Sequence, residues 1–426
     1  MSAPVRSVSF LPDDKARACI HCGLCLSSCP TYLETGNENL SPRGRIYLMR
    51  ALEDEVLPLN ADTVRPLDLC LGCRACEAAC PSGVQYGALL EATRHHIHQT
   101  YTRSLPQRLL RNVLIDQVFP YARRMKAALV PGRLVKALGL SALTPGLFRP
   151  LLDLMPRATR VVAVPERTAA AGTEAERRGT VGFIRGCVMS VLFSGTNAAS
   201  VSLLTKAGFD VIAPDPQGCC GALYAHSGNL EAARASARAL IAVFEAHAVE
   251  TIVINAAGCG STLKEYGHLL ADDPAWAARA QAFSAKVRDL SETLVDAGFV
   301  ARLRPAPDAA GDATVTFHDA CHLAHAQRVT AAPRALVKKV AGDRFVDLPE
   351  ADVCCGSAGT YNVTEPEMAG RLQVRKVGNV RRSGARIVVS TNPGCLMQIE
   401  AGLAKDGGGA VEVLHLADYL DRWGQV

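Results

Sequence analysis

The sequence predicts an α + α/β fold, in which an α-helical N-terminal domain precedes two repeated α/β domains rich in cysteine. Two short cysteine motifs lie close together near the N-terminus, among segments with helical apolar spacing. A longer cysteine pattern then occurs twice, and in each copy short apolar strands alternate with helices, which is typical of a largely parallel sheet. We predict a helical domain at 1–110 and a basic segment with a linker at 111–178. The first repeat is predicted at 179–300 and the second at 314–426.

Composition limits the class of protein. The chain has 426 residues, of which 49% are apolar and 20% charged, an ordinary globular composition. No apolar run follows the N-terminus, and no stretch approaches the ~18 apolar residues of a membrane span, so we expect a soluble, unexported protein. The net charge of +5 is too small to indicate nucleic acid as a partner. Sixteen cysteines in such a protein are more typical of metal binding or catalysis than of disulfides.

Two helical segments define the first domain. Ser41 is a candidate N-cap, Pro42 fits the first turn, and apolar residues follow at helical spacing as far as Asp54. A second helix is predicted over YGALLEATRHHIHQTY, which begins at Tyr86. Beyond it, prolines interrupt a helical pattern and predict several short helices before a linker. These prolines are Pro106, Pro120, Pro131, Pro145, Pro150 and Pro156.

The short cysteine motifs indicate two iron–sulfur clusters. CIHCGLCLSSCP, from Cys19 to Pro30, is repeated as CLGCRACEAACP, from Cys70 to Pro81. In two-cluster ferredoxins the first three cysteines bind one cluster, and the fourth, before proline, binds the other. Disulfides or zinc are the alternative, but a zinc site needs only four thiolates, typically from two distant CxxC pairs. The predicted [4Fe-4S] ligands are Cys19, Cys22, Cys25 and Cys80 for the first cluster, and Cys70, Cys73, Cys76 and Cys29 for the second.

The insert between Cys29 and Cys70 is wide for a compact ferredoxin. It contains the helix predicted after Ser41. This favours an α-helical ferredoxin-type domain, by analogy with domains fused into quinone-linked dehydrogenases.

Each longer repeat places its cysteines after strands. The first copy begins TVGFIRGC and the second ATVTFHDAC, and both contain the sequence CCG further on. In parallel sheets, function collects in loops past the carboxyl ends of strands. An iron–sulfur cluster, a zinc ion and a redox dithiol all remain open uses, beside buried structural cysteines. The candidate metal ligands are Cys187, Cys219, Cys220, Cys259, Cys321, Cys354, Cys355 and Cys395.

Six segments resemble the iron–sulfur subunits of glycolate oxidase, the bacterial glycolate dehydrogenase. They are HCGLCLSSCPTYLETGNENLSPRGRIYLMRALE, LDLCLGCRACEAACPSGVQYGALLEATR, PDPQGCCGALYAHSG, INAAGCGSTLKEYG, HDACHLAHAQ and CCGSAGTYNVTEPEMA. Wider relatives with paired cysteine-rich domains act in lactate and anaerobic glycerol-3-phosphate dehydrogenases and in heterodisulfide reductase. The resemblance implies two [4Fe-4S] clusters that carry electrons from partner subunits, which contain FAD and oxidise glycolate to glyoxylate, toward quinone.

The repeats depart from the fuller family pattern, which ends in CxxC. Thr262 and Gln398 stand where the last cysteine of each copy is expected. This disfavours the five-thiol cluster of heterodisulfide reductase and its disulfide catalysis, and leaves a four-thiol site in each repeat. His318, His322 or His325 is a candidate further ligand, although such histidines more often only hydrogen-bond near a metal. Lactate and glycerol 3-phosphate remain open as substrates of the partner.

No nucleotide-binding motif accompanies the cysteines. The sequence has no GxGxxG behind a strand and no Walker loop. Clusters move single electrons, whereas oxidation of an alcohol needs a carrier of two. The chain alone is therefore predicted not to oxidise the substrate, and the flavin is expected on a partner.

A basic segment follows the helical domain. Between Tyr101 and Arg160, eleven Lys or Arg residues accompany only Asp116 and Asp153, with apolar residues at helical spacing. The default interpretation packs the apolar face on the helical domain and leaves the basic face in water. The alternative is a surface for an anionic membrane or an acidic partner. The membrane alternative predicts a cytoplasmic protein that is held peripherally on the inner face of the cell membrane, near quinone.

Overall fold

Helices form the N-terminal domain in the computed structural model, which describes residues 9–139, 152, 161–305, 313–405 and 411–426. Ser41 caps the third helix, because its Oγ accepts a hydrogen bond from the Gly44 amide at 3.0 Å. Both helices predicted in this domain are confirmed. The helices are α1 (Asp13–Arg17), α2 (Pro30–Thr35), α3 (Pro42–Glu53), α4 (Ala61–Asp68), α5 (Ala75–Ala78) and α6 (Tyr86–Thr100), with a 3₁₀ turn at Glu38–Leu40.

The basic segment contains α7 (Leu105–Leu110), a π-helix (Arg111–Val118) and α8 (Ala122–Ala137). The predicted interruption at Pro131 is wrong, because this proline lies inside α8. Pro131 has no N–H to donate to the carbonyl oxygen of Ala127, and Ala127 lies at an exposed position, where water can take the place of that donor. The predicted breaks at prolines 145, 150 and 156 lie outside the described residues.

The first repeat is built on a five-stranded sheet of order β1-β3-β2-β4-β5. Every pairing is parallel except that of the short edge strand β1, so the predicted α/β unit is confirmed. The strands are β1 (Arg167–Thr168), β2 (Gly179–Ile184), β3 (Phe209–Ile212), β4 (Thr251–Ile254) and β5 (Val287–Asp289). The helices are α9 (Cys187–Leu192), α10 (Ser194–Lys206), α11 (Ala222–Ser227), α12 (Leu230–Glu245), α13 (Ala257–Lys264), α14 (Tyr266–Leu269), α15 (Ala277–Lys286), α16 (Leu290–Asp296) and α17 (Phe299–Arg302).

The second repeat has a smaller parallel sheet of order β7-β8-β9. The counterpart of β3 is reduced to one bridge between Val315 and Phe345. Strand β6 (Arg304–Pro305) pairs with β10 (Gly424–Gln425) and ties the end of the first repeat to the C-terminal residues. The other strands are β7 (Val315–Phe317), β8 (Ile387–Ser390) and β9 (Glu412–His415). The helices are α18 (Ala331–Ala341), α19 (Tyr361–Thr364), α20 (Pro366–Ser383), α21 (Pro393–Lys405) and α22 (Leu416–Trp423).

One apolar core joins the two repeats. Phe183 and Val253 of the first sheet lie in the same buried cluster as Phe317 and Val389 of the second. A buried hydrogen bond of 2.8 Å also joins His415 Nε2 to the carbonyl oxygen of Asn255. The repeats therefore pack as one body, and the predicted residue limits between them stay predictions.

The N-terminal domain docks on both repeats. Arg74 pairs with Glu265 of the first repeat, and Arg65 pairs with Glu365 of the second. Tyr361 adds a hydrogen bond of 2.9 Å from its hydroxyl to the carbonyl oxygen of Leu69. Throughout the described residues, no helix is both long enough and apolar enough to cross a membrane.

Candidate metal centres

Five cysteines line a pocket at the surface of the N-terminal domain. Cys22 is exposed, and its neighbours Ile20 and Leu24 are 69% and 60% exposed. Cys76 also reaches this pocket. We call it the surface thiol pocket, and its cysteines other than Cys76 are Cys19, Cys22, Cys25 and Cys80.

A second pocket lies deeper between α3 and the loop before α5. Its cysteines are all buried, and Arg45 and Tyr86 complete its lining. We call it the buried thiol pocket, and its cysteines are Cys29, Cys70, Cys73 and Cys76. Cys29 therefore lies with the cysteines of the second motif, and Cys80 with those of the first. The assignment of each set to one cluster stays a prediction.

The two motif loops share one backbone conformation. His21 and Gly23 have φ angles of 56° and 82°, and the equivalent Gly72 and Arg74 have 63° and 61°. Glycine occupies one of the two left-handed positions in each loop, where an L side chain is strained. Such alternation turns successive amide N–H groups toward one concave side, which suits an anion. The sequence repeat is thus also a repeat of loop geometry.

The buried thiol pocket is built for negative charge. Arg45 is 1% exposed, and its Nη1 lies 3.8 Å from Cys29 Sγ. Among the described residues no carboxylate forms an ion pair with Arg45, although a buried cation needs a counter-charge. Burial opposes ionisation of Cys70, but the charges of Arg45 and Arg94 outweigh it and lower the pKa of this thiol. A thiolate-ligated, anionic cluster therefore fits this donor set.

Hydrogen bonds to sulfur support the same conclusion. The Tyr86 hydroxyl donates to Cys70 Sγ at 3.5 Å, and the Gly72 amide donates to the same sulfur at 3.4 Å. Burial raises the pKa of Cys73 and Cys76, and metal binding, which needs deprotonated sulfur, would release these protons.

All eight cysteines of the two repeats line a single cavity of about 140 Å³. The sulfurs of Cys187 and Cys219 are 3.7 Å apart, and those of Cys321 and Cys354 are 4.0 Å apart. Each CCG glycine has a positive φ and touches the following long helix, so the CCG turn packs closely against that helix. The sequence predicted a site in each repeat, but did not indicate that the two would face each other. We call this the eight-thiol cavity.

The three candidate histidines have different surroundings. His322 is fully engaged, because Nδ1 contacts Ser261 Oγ at 2.8 Å and Nε2 contacts the Gly72 carbonyl oxygen at 3.1 Å. His325 Nε2 contacts the carbonyl oxygen of Asp352 at 3.0 Å. Only His318 is grouped with cysteines in an arrangement suited to a metal, among the described residues.

The buried thiol pocket adjoins the eight-thiol cavity. Leu71, between Cys70 and Cys73, lines that cavity, and Cys73 shares an apolar cluster with Cys321 and Cys354. The three thiol sites thus form a continuous row from the surface into the repeats. Sequence reasoning missed this row and the role of Arg45. The available signal was helical spacing, because Arg45 stands three and four residues before Leu48 and Met49, on the apolar side of α3.

Comparison with known protein families assigns each part of the chain. A 4Fe-4S dicluster domain matches residues 15–84, and the cysteine-rich domain matches residues 181–264 and 315–400. The linker region of the glycolate oxidase iron–sulfur subunit matches residues 106–160. The N-terminal dicluster domain and the two cysteine-rich domains are thus confirmed.

Individual relatives agree with these matches. The probable glycolate oxidase iron–sulfur subunit of Bacillus subtilis is 40% identical over 94% of this chain and 92% of its own length. The glycolate oxidase iron–sulfur subunit of Escherichia coli is 36% identical over 90% of this chain and 89% of its own length. Lactate utilization protein A of an Exiguobacterium species is 33% identical, over 55% of this chain and 94% of its own length. The chain therefore belongs to the family of glycolate oxidase iron–sulfur subunits with paired cysteine-rich domains.

Proposed function

We propose that the chain is the electron-transfer subunit of a complex that oxidises glycolate to glyoxylate on partner flavin subunits and delivers the electrons to quinone. The surface thiol pocket holds one [4Fe-4S] cluster, and the buried thiol pocket holds the other. Such clusters, when bound, supply one-electron transfer. The observation that carries the proposal is the pair of adjacent cysteine pockets, which share Cys76 and in which Cys29 lies with the second motif and Cys80 with the first.

Arg45, Tyr86 and the Gly72 amide have the supporting role in the buried pocket. Arg45 brings a positive charge to Cys29 Sγ, while the Tyr86 hydroxyl and the Gly72 amide donate hydrogen bonds to Cys70 Sγ. Such groups raise the reduction potential of a cluster. The surface pocket lacks a buried cation of this kind among its described lining residues. We therefore assign the higher potential to the buried site, where a bound cluster would be the electron acceptor for one bound at the surface.

The surface thiol pocket is the proposed docking point of the flavin subunit. Ile20, Leu24 and Tyr47 leave 69%, 60% and 66% of their surfaces exposed close to the pocket or on the adjoining α3. Large exposed apolar side chains next to a functional pocket mark an interaction surface. Relatives named for glycolate oxidase cover nine-tenths or more of this chain, which favours glycolate over lactate as the substrate of that partner. The lactate relatives cover 55% of it.

Substrate oxidation is expected only in the presence of the partner. The full chain alone, given glycolate and an artificial acceptor, should show no oxidation above the rate without protein, because it supplies no flavin. Adding the flavin subunits should restore reduction of the acceptor, and the cluster absorbance of this chain should bleach with glycolate. Glycolate oxidation by this chain alone would contradict the proposal.

The basic segment is the proposed membrane-facing surface. It packs on the first repeat through Met125, against Val191 and Leu192. Six large apolar side chains of this segment are exposed, as are Arg108, Arg123 and Arg124, and this exposure supports the alternative to a packed apolar face. A surface that exposes both basic and large apolar side chains is suited to binding an anionic membrane. The six are Leu105, Leu109, Val113, Val130, Leu134 and Leu138.

Charge reversal tests this assignment. Changing Arg108, Arg123 and Arg124 to Glu is expected to weaken binding of the full chain to anionic phospholipid vesicles about 100-fold, since each basic residue contributes about 1 kcal/mol. Arg111 is left unchanged, because it lies 3.7 Å from Asp68 in an ion pair.

Co-sedimentation measures the binding. A matched control reverses Arg178, Arg302 and Lys339, which are exposed elsewhere on the chain, and should leave it unchanged. Equal losses in both variants would show that only net charge matters, and unchanged sedimentation of the first variant would refute the membrane assignment.

A further inference from the structure

We infer that the second cysteine-rich repeat binds one thiophilic metal ion, zinc or ferrous iron, through His318 Nε2 and the thiolates of Cys355 and Cys395. The three ligand atoms all lie within 4.8 Å of one another, and all three residues are buried. A tetrahedral ion at about 2.3 Å from sulfur and about 2.0 Å from nitrogen separates its ligand atoms by about 3.5–3.8 Å. Closing this site around an ion therefore takes movements of about 1 Å.

His318 presents a lone pair with nothing to receive it. Its Nδ1 lies 2.9 Å from the carbonyl oxygen of Ala351, so Nδ1 carries the proton. Nε2 is buried and has no hydrogen-bond partner among the described residues. A buried polar atom without a partner is costly, and a metal ion removes this cost. A histidine fixed by Nδ1–H to a backbone carbonyl is also the usual arrangement of a metal ligand.

A buried ammonium group compensates the thiolates. Lys376 is 1% exposed and donates a hydrogen bond to the carbonyl oxygen of Glu350. Burial lowers the pKa of Lys376, whereas negative charge on Cys355, Cys354 or Cys395 raises it. A buried lysine is costly unless negative charge lies nearby. Two or more thiolates on a divalent ion supply that charge, and Cys354, Cys355 and Cys395 all line the eight-thiol cavity.

The first repeat lacks both groups. Ile184 stands three residues before Cys187, as His318 stands three before Cys321. The close approaches of Gly221 to Ala233 and of Gly356 to Ala369 align the two long helices. Seven residues further along each helix are Leu240 and Lys376. The ion therefore belongs to the second repeat only, and the first repeat provides a matched control.

The test compares metal with sulfide in the full chain purified without oxygen. Each [4Fe-4S] cluster holds equal numbers of iron and sulfide, so the proposed ion appears either as about one zinc or as about one iron in excess of sulfide. This difference does not depend on how completely the two clusters are formed. Elemental analysis also decides between zinc and iron.

His318→Ala is expected to lower the extra metal from about one to below about a tenth of an equivalent, because loss of a ligand weakens binding at least as much as loss of its supporting partner. His318→Cys should retain it. The control variant Cys220→Ser/Cys259→Ser should also retain it, because it changes only the first repeat.

Two results would overturn the inference. One is a wild-type chain with no zinc and with iron equal to sulfide. The other is a His318→Ala chain that keeps its extra metal. Thermal unfolding checks that each variant is folded, and Cys395→Ser replaces His318→Ala if the latter is not. Unchanged sulfide content in the variants separates this site from the two clusters of the proposed function.

Discussion

Replacing Cys29 with serine is expected to remove the [4Fe-4S] cluster of the buried thiol pocket and to leave the other cluster in place. Although Cys29 belongs to the first motif, it lies with Cys70, Cys73 and Cys76. Iron bound to the N-terminal domain should fall from about eight to about four per chain. Cys80→Ser should have the reciprocal effect on the surface thiol pocket.

Double variants make this prediction decisive. Cys29→Ser/Cys73→Ser removes two ligands of the same proposed cluster, so it should lose no more iron and sulfide than Cys29→Ser alone. Cys29→Ser/Cys22→Ser removes one ligand from each cluster and should lose both. If Cys29→Ser/Cys22→Ser instead kept about four iron, each motif would bind its own cluster and the exchange would be wrong.

Replacing Arg45 with methionine should cost the loaded protein about 3–5 kcal/mol, the usual penalty for leaving a buried charge without its partner. Arg45 also holds the pocket together, because its Nε donates to the Pro66 carbonyl oxygen at 2.8 Å and its Nη2 donates to Thr31 Oγ1 at 3.0 Å. Removing its positive charge makes reduction harder. The reduction potential of the buried cluster should therefore fall, while that of the surface cluster stays the same.

Redox titration followed by electron paramagnetic resonance measures both potentials. Arg50→Met is the matched control, since Arg50 is exposed on the same helix. Arg45→Lys keeps the positive charge but loses the planar guanidinium group. Compared with Arg45→Met, it should restore most of the reduction potential but less of the free energy of unfolding. Equal shifts at both clusters, or none at either, would contradict the role assigned to Arg45.

The sequence was sufficient for features that depend on local spacing. Ser41 and Pro42 specify the start of α3, and the alternation of strands with helices predicts both parallel sheets. The pattern of two-cluster ferredoxins also predicts that Cys29 and Cys80 each bind with the other motif, and this assignment stays a prediction. Pro131 shows the limit of such rules, because its cost in a helix falls where water reaches the freed carbonyl.

Features that depend on assembly were not predictable. The eight-thiol cavity forms because the two repeats share a core, and no periodicity within one repeat encodes that contact. Arg45 and Lys376 are buried against expectation for their residue types, and only their surroundings explain it. Of the three neighbouring histidines, only the tertiary structure shows that His318 has a ring nitrogen without a hydrogen-bond partner among the residues that the structure describes.

The acid-labile sulfide content of the full chain, purified without oxygen, tests the central claim most directly. Two [4Fe-4S] clusters supply about eight sulfides per chain, and a single metal ion in the second repeat adds none. A value near eight, falling to about four in Cys29→Ser, is the predicted result. A chain without sulfide, whose eight N-terminal cysteines hold zinc or are oxidised, would contradict the account.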